Sequence, residues 1–110
     1  MDNELIIVLD NITLRFKLKS QAIVVLEKVY GKNIFEVFQD LSFTSIQRIF
    51  WESLMNKEVV KDMNDMMDKV LEKYSLIEMG NSLLQELAVK SGILKSKDMD
   101  DTSAEEIKNV

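Results

Sequence analysis

The sequence predicts a predominantly α-helical α+β fold, in which an N-terminal β-hairpin is followed by four to five short helices. Two observations predict this fold class. Near the N-terminus apolar residues alternate with polar ones, which is the period of a half-buried strand. From Ser20 onward they recur at the spacing of amphipathic helices. We expect a single helical domain with its hairpin over residues 1–94 and an acidic flexible tail over residues 95–110.

The predicted hairpin begins with ELIIVL at residues 4–9, a short branched apolar run that favours a strand. Asp10 and Asn11 are predicted to make the turn, because their side chains tolerate the positive φ of tight hairpins. The second strand alternates two faces, Ile12, Leu14, Phe16 and Leu18 on one and Thr13, Arg15, Lys17 and Lys19 on the other. An isolated hairpin is marginal in water, so helices or another subunit must cover its apolar face.

Three helices are predicted after the hairpin, with Asn56 and Lys57 at the exit of the third. Ser20 is a good N-cap for the first, and Gly31 supplies the left-handed residue that ends it. Asn33 caps a second helix of about two turns, and Ser42 or Thr44 opens the third. Their apolar stripes are Ile23, Leu26 and Tyr30, then Ile34, Val37, Phe38 and Leu41, then Ile46, Ile49, Phe50 and Leu54.

Two further apolar series predict the last helices. The fourth helix is expected at about residues 58–74, with Val59, Met63, Met66, Met67, Val70, Leu71 and Tyr74 on one face. The fifth series is Ile77, Leu83, Leu84, Leu87, Ala88 and Leu94. Gly80 interrupts it, so we expect that helix to kink or to start there.

The composition excludes several classes of functional site. The chain has no cysteine and no histidine, which excludes disulfides, thiolate sites and the commonest zinc ligand and general base. Its three glycines cannot build a phosphate-binding loop. We therefore predict no catalytic residue, no metal site and no cofactor. An enzyme would have to use carboxylates, lysines or tyrosines alone, which makes that class the least favoured.

The charge and hydropathy of the chain argue against nucleic acid and membrane as partners. A net charge of -5 argues against nucleic-acid binding, which draws its affinity from clustered basic residues. The basic cluster of Arg15, Lys17 and Lys19 is interpreted as the solvated face of the second strand. No apolar run reaches the roughly 18 residues of a membrane span, and no signal-peptide pattern precedes the fold. We expect a soluble intracellular protein that binds neither nucleic acid nor membrane.

Asp62, Asp65 and Asp68 lie three residues apart on the predicted fourth helix, as in a metal or acid-base array. Lys61 and Lys69 are interleaved with them, and no glycine-bearing loop surrounds the carboxylates. The favoured interpretation is a solvated acidic stripe.

The candidate partner-binding residues are Trp51, Met55, Met63, Met66 and Met67. Methionine is an adaptable filler of cores and of surfaces that accept several partners. A single tryptophan beside an apolar stripe completes a core when buried and marks an interface when exposed. Core filling is the favoured interpretation, and a partner-binding groove is the alternative.

Residues 12–54 carry the one family likeness in the chain. The second strand runs through ITLRFKLK, a helix ends in LEKVYGK, and NIFEVFQDLSF and SIQRIFWESL follow. This succession resembles the phage tail assembly chaperone family, in particular the branch shared with gene transfer agents. Members similarly pass from a short strand into a helix with a leucine-glutamate pair and a closing glycine, then into a short helix and one that often carries tryptophan. Beyond Leu54 the chain departs from the family pattern, because the sequence there is rich in lysine and methionine.

The resemblance implies a non-enzymatic protein of the bacterial host cytoplasm, made during phage or prophage expression, that binds the tape measure protein and keeps it soluble during tail assembly. The tail tube protein is a further expected partner, and an available strand edge predicts a homo-oligomer. The alternatives are a small structural neck or tail completion protein of the phage particle, and a small helical transcriptional regulator. In a regulator Asp62, Asp65 and Asp68 would face the phosphates of DNA.

Overall fold

The computed structural model describes residues 3–95 as a two-stranded antiparallel hairpin followed by five helices. This confirms the predicted α+β, predominantly α class. The elements are β1 (Leu5–Val8), β2 (Thr13–Phe16), α1 (Ser20–Tyr30), α2 (Ile34–Gln39), α3 (Phe43–Ser53), a 3-10 turn (Lys57–Val59), α4 (Met63–Val70) and α5 (residues 76–90). Residues 96–110, which hold almost all of the predicted acidic tail, lie outside the described residues.

The second strand has the predicted alternation, and one apolar face of the hairpin is turned inward. Leu5 pairs with Phe16 and Ile7 with Leu14, and Leu5, Ile7, Leu14 and Phe16 are all buried. At the turn the Leu9 N–H donates to the Ile12 carbonyl oxygen at 2.9 Å. Within the described range only glycines have positive φ, so the predicted left-handed turn at residues 10–11 is wrong, although the two-residue connection itself is confirmed.

The outer edge of β2 is closed by the residues that follow α3. The Lys17 N–H donates to the Ser53 carbonyl oxygen at 2.9 Å, and the Met55 N–H donates to the Arg15 carbonyl oxygen at 2.8 Å. The Asn56 side chain continues this ladder. Its Oδ1 accepts from the Arg15 N–H at 3.0 Å, and its Nδ2 donates to the Thr13 carbonyl oxygen at 2.8 Å. Residues 53–56 therefore act as a third strand beside β2.

The remaining sheet edge belongs to β1. Because the backbone groups of Arg15 point toward residues 53–56, those of Ile6, its partner in the register, point to the outer edge of β1. At the end of the strand the Lys73 Nζ donates to the Val8 carbonyl oxygen at 3.0 Å. Lysine at a sheet edge disfavours pairing with another strand. The predicted homo-oligomer stays a prediction, and β1 is the edge to which it would apply.

Local capping explains where the first three helices begin and end. α1 begins at Ser20 itself, one residue earlier than predicted, with Lys19 at the N-cap position and no side-chain cap. Gly31 ends it with φ of 64°, as predicted. Asn33 caps α2 in a capping box, since its Oδ1 accepts from the Glu36 N–H at 3.0 Å and the Glu36 carboxylate accepts from the Asn33 N–H at 3.1 Å. Ser42 caps α3.

α4 is much shorter than predicted. It covers Met63–Val70 instead of about residues 58–74, because a 3-10 turn precedes it and Asp62 is its N-cap. The Asp62 carboxylate accepts from the Asp65 N–H at 2.8 Å, which satisfies a donor that the first helical turn leaves free. The apolar spacing continues on both sides of Asp62, so it predicts one long helix and does not indicate the cap.

α5 is continuous from Leu76 but changes its winding around Gly80. It is α-helical at Leu76–Glu78, π-helical at Met79–Leu83 and α-helical again at Leu84–Lys90. A Cβ atom on Gly80 would lie 3.2 Å from the Ile46 Cδ1, so glycine lets α5 approach α3 closely. The predicted irregularity is confirmed, but the helix starts before it. Ile77, placed in the apolar stripe by its spacing, is 75% exposed, and Met79 is buried instead.

One cluster of buried side chains joins the hairpin to all five helices. At its centre the Phe16 and Phe50 rings meet edge to face, with centroids 5.4 Å apart and planes at 84°. Both rings are fully buried. Edge-to-face pairs contribute about 0.5–1.5 kcal/mol beyond the burial of their area, so this contact ties β2 to α3.

We predict that Phe50→Ala lowers the free energy of unfolding by about 3–5 kcal/mol, because it removes a fully buried ring and leaves a cavity under the hairpin. Phe43→Ala is the matched control, since Phe43 belongs to the same helix and is exposed, and a change of about 0.5 kcal/mol is expected there. Urea denaturation followed by circular dichroism measures both. Equal effects of the two substitutions would contradict the packing described for Phe50.

We also predict that Asn56→Ala destabilises the fold by about 1–2 kcal/mol, because both hydrogen bonds of its amide to β2 are lost. Hydrogen exchange should show faster exchange of the Arg15 amide in this variant. Asn81→Ala is the control, because Asn81 is exposed on α5, and its effect should stay within about 0.5 kcal/mol. An unchanged Arg15 amide in the Asn56 variant would argue against the ladder at this edge.

Candidate partner-binding groove

The five predicted partner-binding residues occupy different environments. Met66 and Met67 on α4 are fully buried, so they fill the core and no partner can reach them on the folded chain. Trp51, Met55 and Met63 are partly buried. The core interpretation therefore holds for Met66 and Met67, and partner binding by Trp51, Met55 and Met63 stays a prediction.

Met55 lies in a surface groove of about 330 Å³ between the chain that leaves β2, the start of α1 and the end of α3. We call it the lysine groove. Its polar rim is formed by Lys17, Lys19, Gln21, Glu52, Ser53 and Lys57. Its apolar part is formed by Ala22, Val25, Leu54 and Met55. Trp51 stands beside it, with the Lys57 Nζ 5.2 Å from the centre of its ring. Met63 does not line this groove.

The lysine groove carries a positive charge on a chain whose net charge is -5. Among residues 3–95 none of the ion pairs includes Lys17, Lys19 or Lys57. The one carboxylate on the rim, Glu52, accepts from the Arg48 Nε at 2.8 Å and is neutralised by it. Three lysines therefore line a groove whose single carboxylate already has a partner.

Lys57 is the most constrained of the three lysines. Its Nζ donates to the Leu54 carbonyl oxygen at 2.8 Å and lies over the Trp51 ring. Partial burial lowers the pKa of Lys57, and the nearby Glu52 only partly offsets this effect. An anionic group in the groove would stabilise the charged ammonium and offset the same loss of hydration.

Sequence reasoning did not find the lysine groove. The alternating pattern predicts Lys17 and Lys19 on the solvated face of a strand, but β2 ends at Phe16 and the chain then turns into α1. This turn carries both lysines toward Lys57, which comes from the 3-10 turn after α3. Only the pairing of residues 53–56 with β2 brings these segments together, and no local pattern indicates it.

Leu18, between the two lysines, links the groove to the end of α5. Its side chain is buried, and its N–H donates to the Ser91 Oγ at 2.8 Å. Ser91 directly follows α5, so the C-terminal end of that helix is held beside the groove.

The aspartates of α4 have structural roles. Asp62 caps the helix, while the Asp65 carboxylate accepts from the Lys61 N–H at 2.8 Å and from the Lys69 Nζ at 2.9 Å. The hydrogen bond from Lys69, followed by that from Lys61, holds the pKa of Asp65 below its ordinary value. Within residues 3–95 no group of three or more carboxylates is placed to hold a metal ion.

Comparison of the chain with protein-family models, with curated protein sequences and with solved structures found no match. Among the helices of residues 3–95, none has the length and hydropathy needed to cross a lipid bilayer.

We predict that the protein loses stability as the pH is lowered, and that part of this loss depends on Asp65. Because the pKa of Asp65 is lowered in the folded chain, its contribution is complete above the ordinary value of 3.8 and is lost as the pH falls through the lowered folded pKa. Asp65→Asn should be less stable than the parent at pH 7 and should show a shallower loss of Tm below pH 4 or so. Asp68→Asn, at an exposed position of the same helix, is the control and should keep the parent profile.

Proposed function

We propose that this protein is a phage or prophage tail assembly chaperone, which binds the tape measure protein and keeps it soluble without any catalytic step. The observation that carries the proposal is that residues 12–54, which resemble that family, also build most of the lysine groove. Eight of the ten lining residues come from this stretch. The likeness and the candidate binding surface therefore coincide in one part of the chain.

The lysine groove has the chemistry to accept an amphipathic helix. Val25 and Met55 offer apolar contact, and the polar rim offers the three ammonium groups. Helices commonly bind in grooves through one apolar face, and methionine adapts its shape to different side chains. A helical partner segment would place apolar residues on Val25 and Met55 and carboxylates against the lysines.

Exposed apolar side chains extend the available contact beyond the groove. The large ones are Ile6, Val8, Val24, Val29, Phe35, Phe43, Leu71 and Ile77. They are spread over the hairpin and several helices, so each can add only a weak contact. Several copies bound along one long partner would combine weak contacts into stable binding. The net charge of -5 favours solubility of such a complex.

The proposal places the protein in the bacterial host cytoplasm, as a homo-oligomer that leaves before the tail is complete. Its direct test is co-expression with the tape measure protein of the same phage. We expect the soluble fraction of the tape measure protein to rise when this chain is present. A tape measure protein that is equally insoluble with and without the chain would contradict the proposal.

Two groove variants sharpen this test. Met55→Asp and Trp51→Ala should each weaken binding of the tape measure protein by about tenfold or more, which is roughly 1.4 kcal/mol, because they alter the apolar part of the groove and its neighbour. Ile77→Ser is the matched control, since it removes the most exposed large apolar side chain away from the groove. Equal losses in all three variants would argue against binding in the groove.

Mass spectrometry of purified particles separates the proposal from a structural role in the virion. A chaperone should be missing from finished particles. A fixed copy number of this chain in each particle would instead identify a neck or tail completion protein.

A further inference from the structure

We propose that the acidic segment at residues 98–106 of the same chain binds in the lysine groove. The segment reads DMDDTSAEE and carries five carboxylates with no basic residue. Three lysines line the groove, and none of the ion pairs among residues 3–95 includes them. The two surfaces are therefore complementary in charge.

The distribution of charge along the chain makes this complementarity specific. Residues 96–110 contain five carboxylates and two lysines, so they hold more than half of the net charge of -5. The remaining residues are close to neutral as a whole, yet the lysine groove concentrates three positive charges in one place. The most acidic part of the sequence thus belongs to the same molecule as a positively charged groove.

The position at which the described chain ends brings the segment within reach. Ser91 is hydrogen-bonded to the Leu18 N–H beside the groove, and the Leu94 N–H donates to the Ala88 carbonyl oxygen at 3.2 Å. An extended chain covers up to about 3.3–3.6 Å per residue. From Leu94 the segment can therefore reach about 13 Å at Asp98 and about 40 Å at Glu106. Lys17 and Lys19 flank Leu18, the residue to which Ser91 is hydrogen-bonded, so this part of the rim lies close to the point from which the segment extends.

Tethering makes weak charge pairs sufficient. A short connection within one chain gives an effective concentration of about millimolar, so the segment does not need high intrinsic affinity. Exposed pairs with Lys17 and Lys19 are screened by salt and contribute little singly. Lys57 is partly buried, so salt screens its attraction to a nearby carboxylate less. Such a carboxylate also stabilises the charged form of Lys57, which burial disfavours.

Occupation of the groove by the chain itself has a consequence for binding. Any other acidic segment must displace residues 98–106 before it can contact Lys17, Lys19 and Lys57. That competition with a tape measure helix rests on the proposed function. The intramolecular binding itself does not, because it is measured on the isolated full chain with no partner present.

Carbodiimide cross-linking of the full chain at low micromolar concentration tests the proposal. This reagent joins carboxylates directly to amines, and peptide mass spectrometry locates the joined residues. We expect cross-links from residues 98–106 to Lys17, Lys19 and Lys57 at several times the frequency of those to Lys28, an exposed lysine of α1 that does not line the groove. These cross-links should decrease strongly at about 1 M salt. Equal frequencies at Lys28 would overturn the proposal.

A mixture of isotopically light and heavy chains identifies the occupant. Cross-links within one isotope label support binding by the same molecule. Mixed-label cross-links as the main product would overturn the proposal, because a second copy would then supply the acidic segment.

Charge reversal provides a second readout that does not depend on cross-linking chemistry. Trp51 is the single tryptophan, and the Lys57 Nζ lies over its ring, so its emission reports on the groove. Asp100→Lys with Asp101→Lys should shift the Trp51 emission of the full chain and remove its salt dependence. Adding Lys17→Glu and Lys19→Glu to that variant should restore the parent behaviour, whereas adding Lys28→Glu should not. A Trp51 emission that is the same in all of these folded variants would overturn the proposal.

Discussion

A two-stranded hairpin is at best marginally stable alone in water, and the rest of this fold depends on how the hairpin is supported. The residues at the end of α3 support the hairpin through two contacts. Phe50 packs edge to face on Phe16 beneath the sheet, and residues 53–56 occupy the free edge of β2. Because both contacts come from one short stretch, the hairpin, α3 and the turn after it form a single packed unit. The lysine groove lies on that unit.

The sequence predicts the first half of the fold well, because its signals are local. The alternation of β2, the capping box of Asn33 and the left-handed Gly31 each determine structure within a few residues. The second half is less predictable for a physical reason. At α4 the apolar spacing continues through residues 58–62, where the carboxylate of Asp62 ends the preceding turn and begins the helix. Periodicity shows which residues face the core, but it does not show where the backbone changes conformation.

The candidate site could be predicted only in part. Methionine spacing placed Met66 and Met67 on a buried stripe, and the same residue type at Met55 lies at a surface groove. Composition cannot separate these cases, since the difference comes from which neighbours close over each side chain. The lysines of the groove are separated by about forty positions in the chain and meet through backbone pairing alone. Such a meeting leaves no pattern in either segment.

The π-helical turn at Met79–Leu83 makes the length of α5 matter more than its composition. A π turn holds one residue more than an α turn, which rotates everything after it by about 100° around the helix axis. The first part of α5 thereby faces α3 through Gly80, and the later part faces β1 with Leu87 and Ala88 buried. Loss of a single residue within this turn would leave a regular helix whose second half presents the wrong side to the hairpin. Evolution of this protein can therefore exchange many side chains of α5 more readily than it can shorten the helix by one codon.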